Sequence, residues 1–189
     1  MLYTRKGDDG STKTFGCNQR ISKSSAVAEA LGALDEINSF LGIARAKTKN
    51  TNFKISTGEM NFSELILEIQ QNLFIVQAQV AGSDMNITGE KIKKVEMVVD
   101  EIEKVLPPIT TFFISGATEL GATFDFARTL ARRAERRVVA TNEEADENKR
   151  IKVTPEILQY LNRLSSLLYA FARISSHIDG EEEIKPSYK

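Results

Sequence analysis

The chain is poor in the residues that build disulfides, zinc sites and histidine-dependent catalytic centres. Its 189 residues include one cysteine, one histidine and no tryptophan. The single cysteine, Cys17, excludes an internal disulfide framework and is typical of a reducing compartment. Cys17 and the distant His177 are too few for a zinc site and form no good thiol–imidazole pair. Any chemistry must therefore depend on other side chains.

Long apolar runs and a charge excess are also absent. No stretch of about 18 apolar residues occurs, and the N-terminal MLYTRKGDDG lacks the apolar core of a signal peptide. We therefore expect a cytoplasmic protein with no membrane partner. The net charge of -1 and pI of about 6.0 argue against nucleic acid as a partner, because proteins that bind the phosphate backbone usually carry a basic domain.

Apolar residues recur at helical spacing in five segments and predict an all-α fold. We find no convincing strands, no internal repeat and no second domain, so we expect one domain over residues 1–189, an antiparallel five-helix bundle. Residues 1–23 read as a loop segment, ITTFFIS as an extended buried connection, and the tail from about 180 to 189 as mobile. The predicted helices cover about 24–47, 63–80, 91–105, 116–141 and 154–174.

The fourth predicted helix carries a stripe of like charge. Arg128, Arg132 and Arg136 are four residues apart, so they repel one another by a few tenths of a kcal/mol per pair. Only Glu135 offsets them locally. Because arginine binds phosphate bidentately, the stripe favours an anion site. A solvated helix face is the alternative interpretation.

The N-terminal YTRKGDDGSTKTFG combines two glycines with hydroxyl groups and cations. Gly7 and Gly10 would let backbone N–H groups approach an oxyanion beside these side chains. The spacing is not that of a Walker A phosphate loop. A tight Asp-Gly turn without a ligand explains the same glycines.

Several other residues have both a structural and a functional interpretation. Asp35 and Asn38 interrupt the apolar face of the first helix, where buried polar groups need partners. An ion pair with an arginine of the stripe would supply one. Asn162 is either a satisfied polar residue of the bundle or a ligand contact. Phe112 and Phe113 are expected in the core by default.

Together these segments resemble the ATP:cob(I)alamin adenosyltransferases of the propanediol-utilisation type. The motifs follow the family's order over nearly the whole chain: YTRKGDDGST with TFG after it, Lys23, EALGALDEINSFLG, FFISG, ARTLARRAERRVV and YLNRLSSLLYAFAR. The R-x-x-x-R-R-x-E-R and T-R-x-G-D-x-G elements are highly specific in combination.

The resemblance implies a homotrimer of five-helix bundles with active sites between adjacent subunits. ATP, with a divalent metal such as Mg²⁺, would be bound by the N-terminal loop of one chain and the arginine helix of its neighbour. The family's ATP contacts fall on Thr4, Arg5, Lys6, Gly7, Thr12, Lys13, Lys23, Arg132, Arg133, Glu135, Arg136 and Asn162.

The resemblance also implies the reaction. The 5′-deoxyadenosyl group of ATP would move to the cobalt of cob(I)alamin, giving adenosylcobalamin and triphosphate, with Arg132 stabilising the leaving group. The family's intersubunit salt bridge falls on Asp35 and Arg128, and the aromatic that displaces the lower cobalt ligand falls on Phe112. A cobalamin reductase and an adenosylcobalamin-dependent enzyme would be partners.

The sequence departs from the family pattern around the corrin. Ser115 and Ala117 replace a proline and a glycine, Ser166 replaces an aspartate, and Tyr169 replaces a phenylalanine. Two rival functions fit part of the pattern. One is a carrier that binds ATP and delivers adenosylcobalamin without catalysis, and the other is an RNA-binding module built on the arginine helix.

Overall fold

A computed structural model describes residues 3, 5–14, 20–143 and 153–188. Within them the predicted all-α fold of five helices is confirmed, although two short hairpins accompany it. The helices are α1 (Ala26–Lys47), α2 (Phe62–Val80), α3 (Gly89–Val105), α4 (Glu119–Glu143) and α5 (Pro155–Ile178).

The helix starts follow capping chemistry. The Ser25 hydroxyl accepts a hydrogen bond from the Ala28 amide at 3.4 Å, which satisfies one of the free donors of the first turn. Asn61 caps α2 in the same way through the Glu64 amide, so α2 begins one residue before Ser63. Pro155 occupies the first turn of α5, where its missing N–H costs nothing.

Helix α4 lies at the centre of the bundle and packs against both α1 and α5, while α2 packs on α1 and α3 on α5. The predicted apolar stripes form one contiguous core. Its aromatic centre is a cluster of rings with centroids 4.6 to 6.1 Å apart, contributed by Phe53, Phe62, Phe124 and Phe171. The apolar face of α4 packs on its two neighbouring helices, which leaves its arginine-bearing face at the surface.

The prediction of no strands was wrong at two places. β1 (Ser11–Lys13) pairs antiparallel with β2 (Arg20–Ser22), and β3 (Asn52–Ile55) pairs antiparallel with β4 (Gly58–Asn61). Strands of three or four residues are too short to show a reliable alternation of apolar and polar residues. Only Phe53 of β3 reaches the core.

The segment after α3 forms neither helix nor strand, and the expectation that it is buried as a whole was wrong. Ile109, Phe112 and Ile114 are each at least half exposed. The C-terminal tail, predicted to be mobile, contacts this segment, because the Ile114 amide donates to the Ile184 carbonyl at 2.8 Å. None of the helices in the described residues has the length and apolarity needed to cross a membrane.

Candidate active site

A cavity of about 570 Å³ lies beside the segment after α3. One wall is this segment, residues 109–117, and the others are faces of α4 and α5 together with Glu183 of the tail. The segment contributes apolar side chains such as Phe112 beside several hydroxyl groups, whereas the α4 side carries Arg128 and Arg132 together with Asp125. The pocket can therefore hold a ligand that is apolar on one side and anionic on the other.

The adjacent residues Phe112 and Phe113 both line the pocket but differ in exposure. The Phe112 side chain lines the pocket and is 78% exposed, so the expectation that it belongs to the core was wrong. Phe113 is half-buried, with its ring centroid 5.0 Å from the guanidinium carbon of Arg173. A large exposed aromatic at a pocket edge is available to a ligand.

Arg128 lies at the junction of α4 and α5. Its Nε is 3.6 Å from the Asp125 carboxylate, one turn earlier, and its guanidinium is 5.9 Å from the Tyr169 ring centroid. The same Nε is buried without a hydrogen bond in the described structure. Burial raises the pKa of the phenol of Tyr169, which lines the same pocket.

The other arginines of α4 fall into two groups. Arg133 forms an ion pair with Glu36, and Arg137 lies 3.8 Å from Glu29, so both hold α4 against α1. Arg132 and Arg136 are exposed, and neither forms a hydrogen bond or ion pair within the described residues. These two guanidinium groups, four residues apart, are the ones available to an anion.

Asn162 lies on α5 opposite α4, on the exposed side of the bundle. Its Nδ2 donates to Glu135 at 3.2 Å, and its Oδ1 accepts from Arg163 at 2.9 Å. Arg163 in turn donates to Glu96 at 2.9 Å. This chain of contacts fixes Glu135 beside the arginine stripe.

The N-terminal segment is folded on itself by its cations. Lys23 Nζ donates to the Gly7 carbonyl at 2.8 Å, and the Gly10 amide donates to the same oxygen at 3.2 Å. A Cβ on Gly7 would lie 3.2 Å from Lys23 Nζ, so a larger residue would crowd this contact. The backbone of Gly10, at φ 78°, requires glycine.

Arg20 is an organising residue of this segment that the sequence did not reveal. Its guanidinium donates to the carbonyls of Lys6 and Ser11 and lies 3.4 Å from Asp9. Hydrogen bonds from the Ser11 hydroxyl and amide, with the nearby Arg20 charge, lower the pKa of Asp9. The pairing of Arg20 with Lys13 across β1 and β2 positions it, and that register has no clear signal in the sequence.

The remaining candidate residues are distributed as follows. Arg5 has a left-handed backbone, φ 58°, and donates to the Tyr3 hydroxyl at 3.3 Å. Thr12 is half-buried and Lys13 exposed on β1. Thr4, like Cys17, lies outside the described residues.

Asp35 and Asn38 differ from each other in the structure. Asp35 is exposed on α1, so the expectation that it interrupts the apolar face was wrong. Helical geometry places it about 100° from Leu34 and away from the buried stripe. Asn38 is buried, and its Oδ1 has no hydrogen-bond partner in the described residues.

No group of three or more histidine, cysteine or acidic side chains in the described residues is arranged to hold a metal ion. The groups around the pocket and the N-terminal segment are mainly cations, hydroxyls and backbone donors. Such groups suit phosphate oxygens rather than a divalent cation. The described side chains thus do not form a protein cage for Mg²⁺.

The structure thus defines an all-α protein with a ligand-sized pocket of mixed apolar and charged lining. The sequence profile described as cobalamin adenosyltransferase matches residues 2–175. The chain belongs to the cobalamin adenosyltransferase family.

Relatives support this membership. The chain is 36% identical over 183 residues to the corrinoid adenosyltransferase PduO of Citrobacter freundii, covering 93% of this chain and 50% of the relative. A corrinoid adenosyltransferase of Bacillus subtilis is 33% identical, with 97% of this chain and 91% of the relative covered. The chain spans about half the length of the PduO relatives it matches.

The fold matches solved structures of the same class. A variant of the PduO-type ATP:corrinoid adenosyltransferase from Lactobacillus reuteri, complexed with cobalamin and ATP, superimposes with a TM-score of 0.85 at 26% identity. The match covers 100% of this chain and 97% of that one. A second variant of the same enzyme, complexed with ATP, gives a TM-score of 0.82 at 25% identity.

Proposed function

We propose that the protein transfers the 5′-deoxyadenosyl group of ATP to the cobalt of cob(I)alamin and releases triphosphate. The observation that carries the proposal is the pocket in which exposed Phe112 faces the arginine-bearing side of α4. A corrin needs an apolar surface, and a triphosphate needs cations. Membership of the family and the cobalamin- and ATP-bound relative support the same assignment.

The proposed reaction requires no general acid or base from the protein. The Co(I) lone pair attacks C5′ of ATP, the C5′–O bond breaks, and triphosphate leaves with the bonding electrons, so that cobalt becomes formally Co(III). Co(I) is a strong nucleophile and needs no general base. The protein's tasks are to orient C5′ toward cobalt and to stabilise the charge on the leaving group.

The arginine stripe supplies the charge in this proposal. Arg132 and Arg136 have no carboxylate partner among the described residues, so binding triphosphate breaks no ion pair of theirs. Arg133 would have to share its guanidinium between Glu36 and ATP. Glu135 and Asn162, fixed by their mutual hydrogen bond, would meet the nucleotide beside them.

The N-terminal segment would complete the nucleotide site. Thr4, Arg5, Lys6, Gly7, Thr12, Lys13 and Lys23 are proposed ATP contacts. The hydrogen bonds that Arg5, Gly7 and Lys23 form in the described structure stay within this segment. We therefore infer that the segment serves the α4 face of a neighbouring subunit, in a homotrimer with shared sites, where Asp35 of one chain pairs with Arg128 of the next.

Phe112 would act on the cobalamin. An apolar ring below the corrin excludes the lower axial ligand, and loss of that ligand makes Co(II) easier to reduce. Mg²⁺ would be bound by the phosphates of ATP. A reductase that supplies Co(I), an enzyme that uses adenosylcobalamin, a single domain and a cytoplasmic location complete the proposal.

A single-turnover assay tests this function. Protein in excess over ATP is mixed with chemically reduced cob(I)alamin, and triphosphate and adenosylcobalamin are quantified together. The proposal expects one triphosphate for each adenosylcobalamin formed. ATP binding without triphosphate release would instead assign the protein as a carrier.

A further inference from the structure

Arg173 is a buried cation that the proposed chemistry leaves unused. It belongs to α5, and only 5% of its surface is exposed. A charge so deeply buried is costly unless it is paired and hydrogen-bonded. Its surroundings therefore indicate what it holds in place.

The contacts of Arg173 join three separate parts of the chain. Its Nε donates to Glu183 at 3.0 Å, and its terminal nitrogen donates to the Pro107 carbonyl at 3.4 Å. Its guanidinium carbon also lies 5.0 Å from the Phe113 ring centroid. Arg173 thus contacts Pro107, just after α3, and Phe113 in the segment of residues 109–117. It also contacts Glu183 in the C-terminal tail.

A second link joins the tail to the same segment. The Ile114 amide donates to the Ile184 carbonyl at 2.8 Å, one residue beyond each of the Arg173 partners Phe113 and Glu183. Glu183 also lines the pocket. The tail is therefore tied to the segment that carries Phe112 through Glu183 and Ile184.

We propose that Arg173 and Glu183 are positioning residues that clamp the tail across this segment and so set the direction of the Phe112 ring. Phe113 and Phe112 are adjacent, so the contact of Phe113 with Arg173 restrains the backbone that carries the Phe112 ring at the pocket. Phe112 is 78% exposed, so its own packing contributes little to its order.

The clamp is tested first without any substrate. Glu183→Gln keeps the shape of the side chain but removes the charge that faces Arg173, and Glu182→Gln removes the same charge from an exposed neighbour. In the ligand-free protein, Glu183→Gln should speed hydrogen exchange of the Ile114 amide by about tenfold relative to the control, through local opening of the tail. Amides in the middle of α4 should exchange as in the wild type.

Two results would overturn the clamp. One is an Ile114 exchange rate that is the same in both variants. The other is faster exchange spread evenly over α4 as well, which would make the pair a general stabilising contact. Neither outcome depends on the enzymatic assignment.

The role of the clamp in turnover rests on the proposed function and has a separate readout. Starting from Co(II), Glu183→Gln should lower kcat by about tenfold with KM for ATP unchanged, because the clamp acts on the cobalamin side. An unchanged kcat in an active protein would contradict that role. A wild type that forms no adenosylcobalamin, yet shows the exchange effect, would reject the proposed function and leave the clamp standing.

Discussion

The guanidinium groups of α4 differ in whether a carboxylate already holds them. Arg133 and Arg137 are engaged by Glu36 and Glu29 of α1, whereas Arg132 and Arg136 are not engaged in the described structure. The arginines that face α1 are thus paired, whereas Arg132 and Arg136 on the other side of α4 are not paired within the described residues. Arg132 and Arg137 are therefore expected to respond differently to substitution.

Arg132→Ala should lower turnover by roughly a hundredfold, or about 3 kcal/mol of transition-state stabilisation, because Arg132 is proposed to meet triphosphate oxygens. Arg137→Ala is the matched control on the same helix, since its partner is Glu29. Steady-state rates of adenosylcobalamin formation at saturating ATP measure the difference. Equal rates for the two variants would reduce the stripe to a solvated face.

Phe112→Ala should leave ATP affinity and melting temperature nearly unchanged, because the ring is 78% exposed and contacts a pocket rather than the core. Adenosylation from Co(II) should fall sharply, and adenosylation from chemically made Co(I) should fall less. Isothermal titration with ATP and the two rate assays separate these effects.

Phe113→Ala provides the internal control for Phe112. The Phe113 ring lies against Arg173, so its loss should lower the melting temperature. If the loss of activity in each alanine variant is proportional to the decrease in its melting temperature, Phe112 has no special role toward cobalt.

At the scale of elements, the helices were predictable because their signals are local. Ser25 at the start of α1, Pro155 in the first turn of α5 and the apolar stripes all act within one or two turns of helix. The hairpins β1–β2 and β3–β4 were missed because their strands have three or four residues. Their register depends on contacts such as that of Arg20, which connects residues distant in sequence.

Gly121 tests how closely α4 and α5 must approach beside the pocket. A Cβ there would lie 2.9 Å from Thr118 Oγ1, 3.0 Å from Ser176 Oγ and 3.2 Å from the Ala172 carbonyl. Gly121→Ala should therefore lower the free energy of unfolding by about 1–3 kcal/mol through overpacking. Denaturant unfolding measures this change.

Gly42→Ala is the control of opposite sign. A Cβ at Gly42 would meet only Gln70 Nε2, at an ordinary 3.7 Å. It should stabilise α1 by about 0.5–1 kcal/mol, because alanine is the better helix former. A Gly121→Ala protein as stable as Gly42→Ala would show that α4 and α5 are not tightly constrained there.

At the scale of the whole molecule, the site could be predicted only in part. The stripe of Arg128, Arg132 and Arg136 and the Gly7 turn have sequence signals, since their residue types and spacings are unusual. The contacts of Arg173 with Phe113 and Glu183 have none, because they depend on how α5, an extended segment and the tail meet. The sequence signal for Arg173 is one charged residue in the otherwise uncharged stretch LSSLLYAFARISS.

The proposed homotrimer leads to a prediction for Asp35. Asp35 is exposed in the single chain, so the proposed pair with Arg128 requires a neighbouring subunit. Asp35→Ala should weaken the trimer and cobalamin use together, because breaking one half of a desolvated pair costs several kcal/mol. Asp100→Ala, which removes the same charge from α3, should do neither.

Sedimentation at micromolar concentration measures the assembly directly. The shared-site arrangement expects a trimer for the wild type and for Asp100→Ala, and partial dissociation for Asp35→Ala. A monomeric wild type that turns over normally would contradict it.

The absorption spectrum of cob(I)alamin, followed anaerobically after addition of ATP and purified protein, tests the proposed activity most directly. We expect the cob(I)alamin bands to decay as those of adenosylcobalamin appear, only when both ATP and protein are present, and more slowly with Arg132→Ala. If folded protein in stoichiometric excess and saturating ATP leave the cob(I)alamin spectrum unchanged, the proposed adenosyl transfer is contradicted.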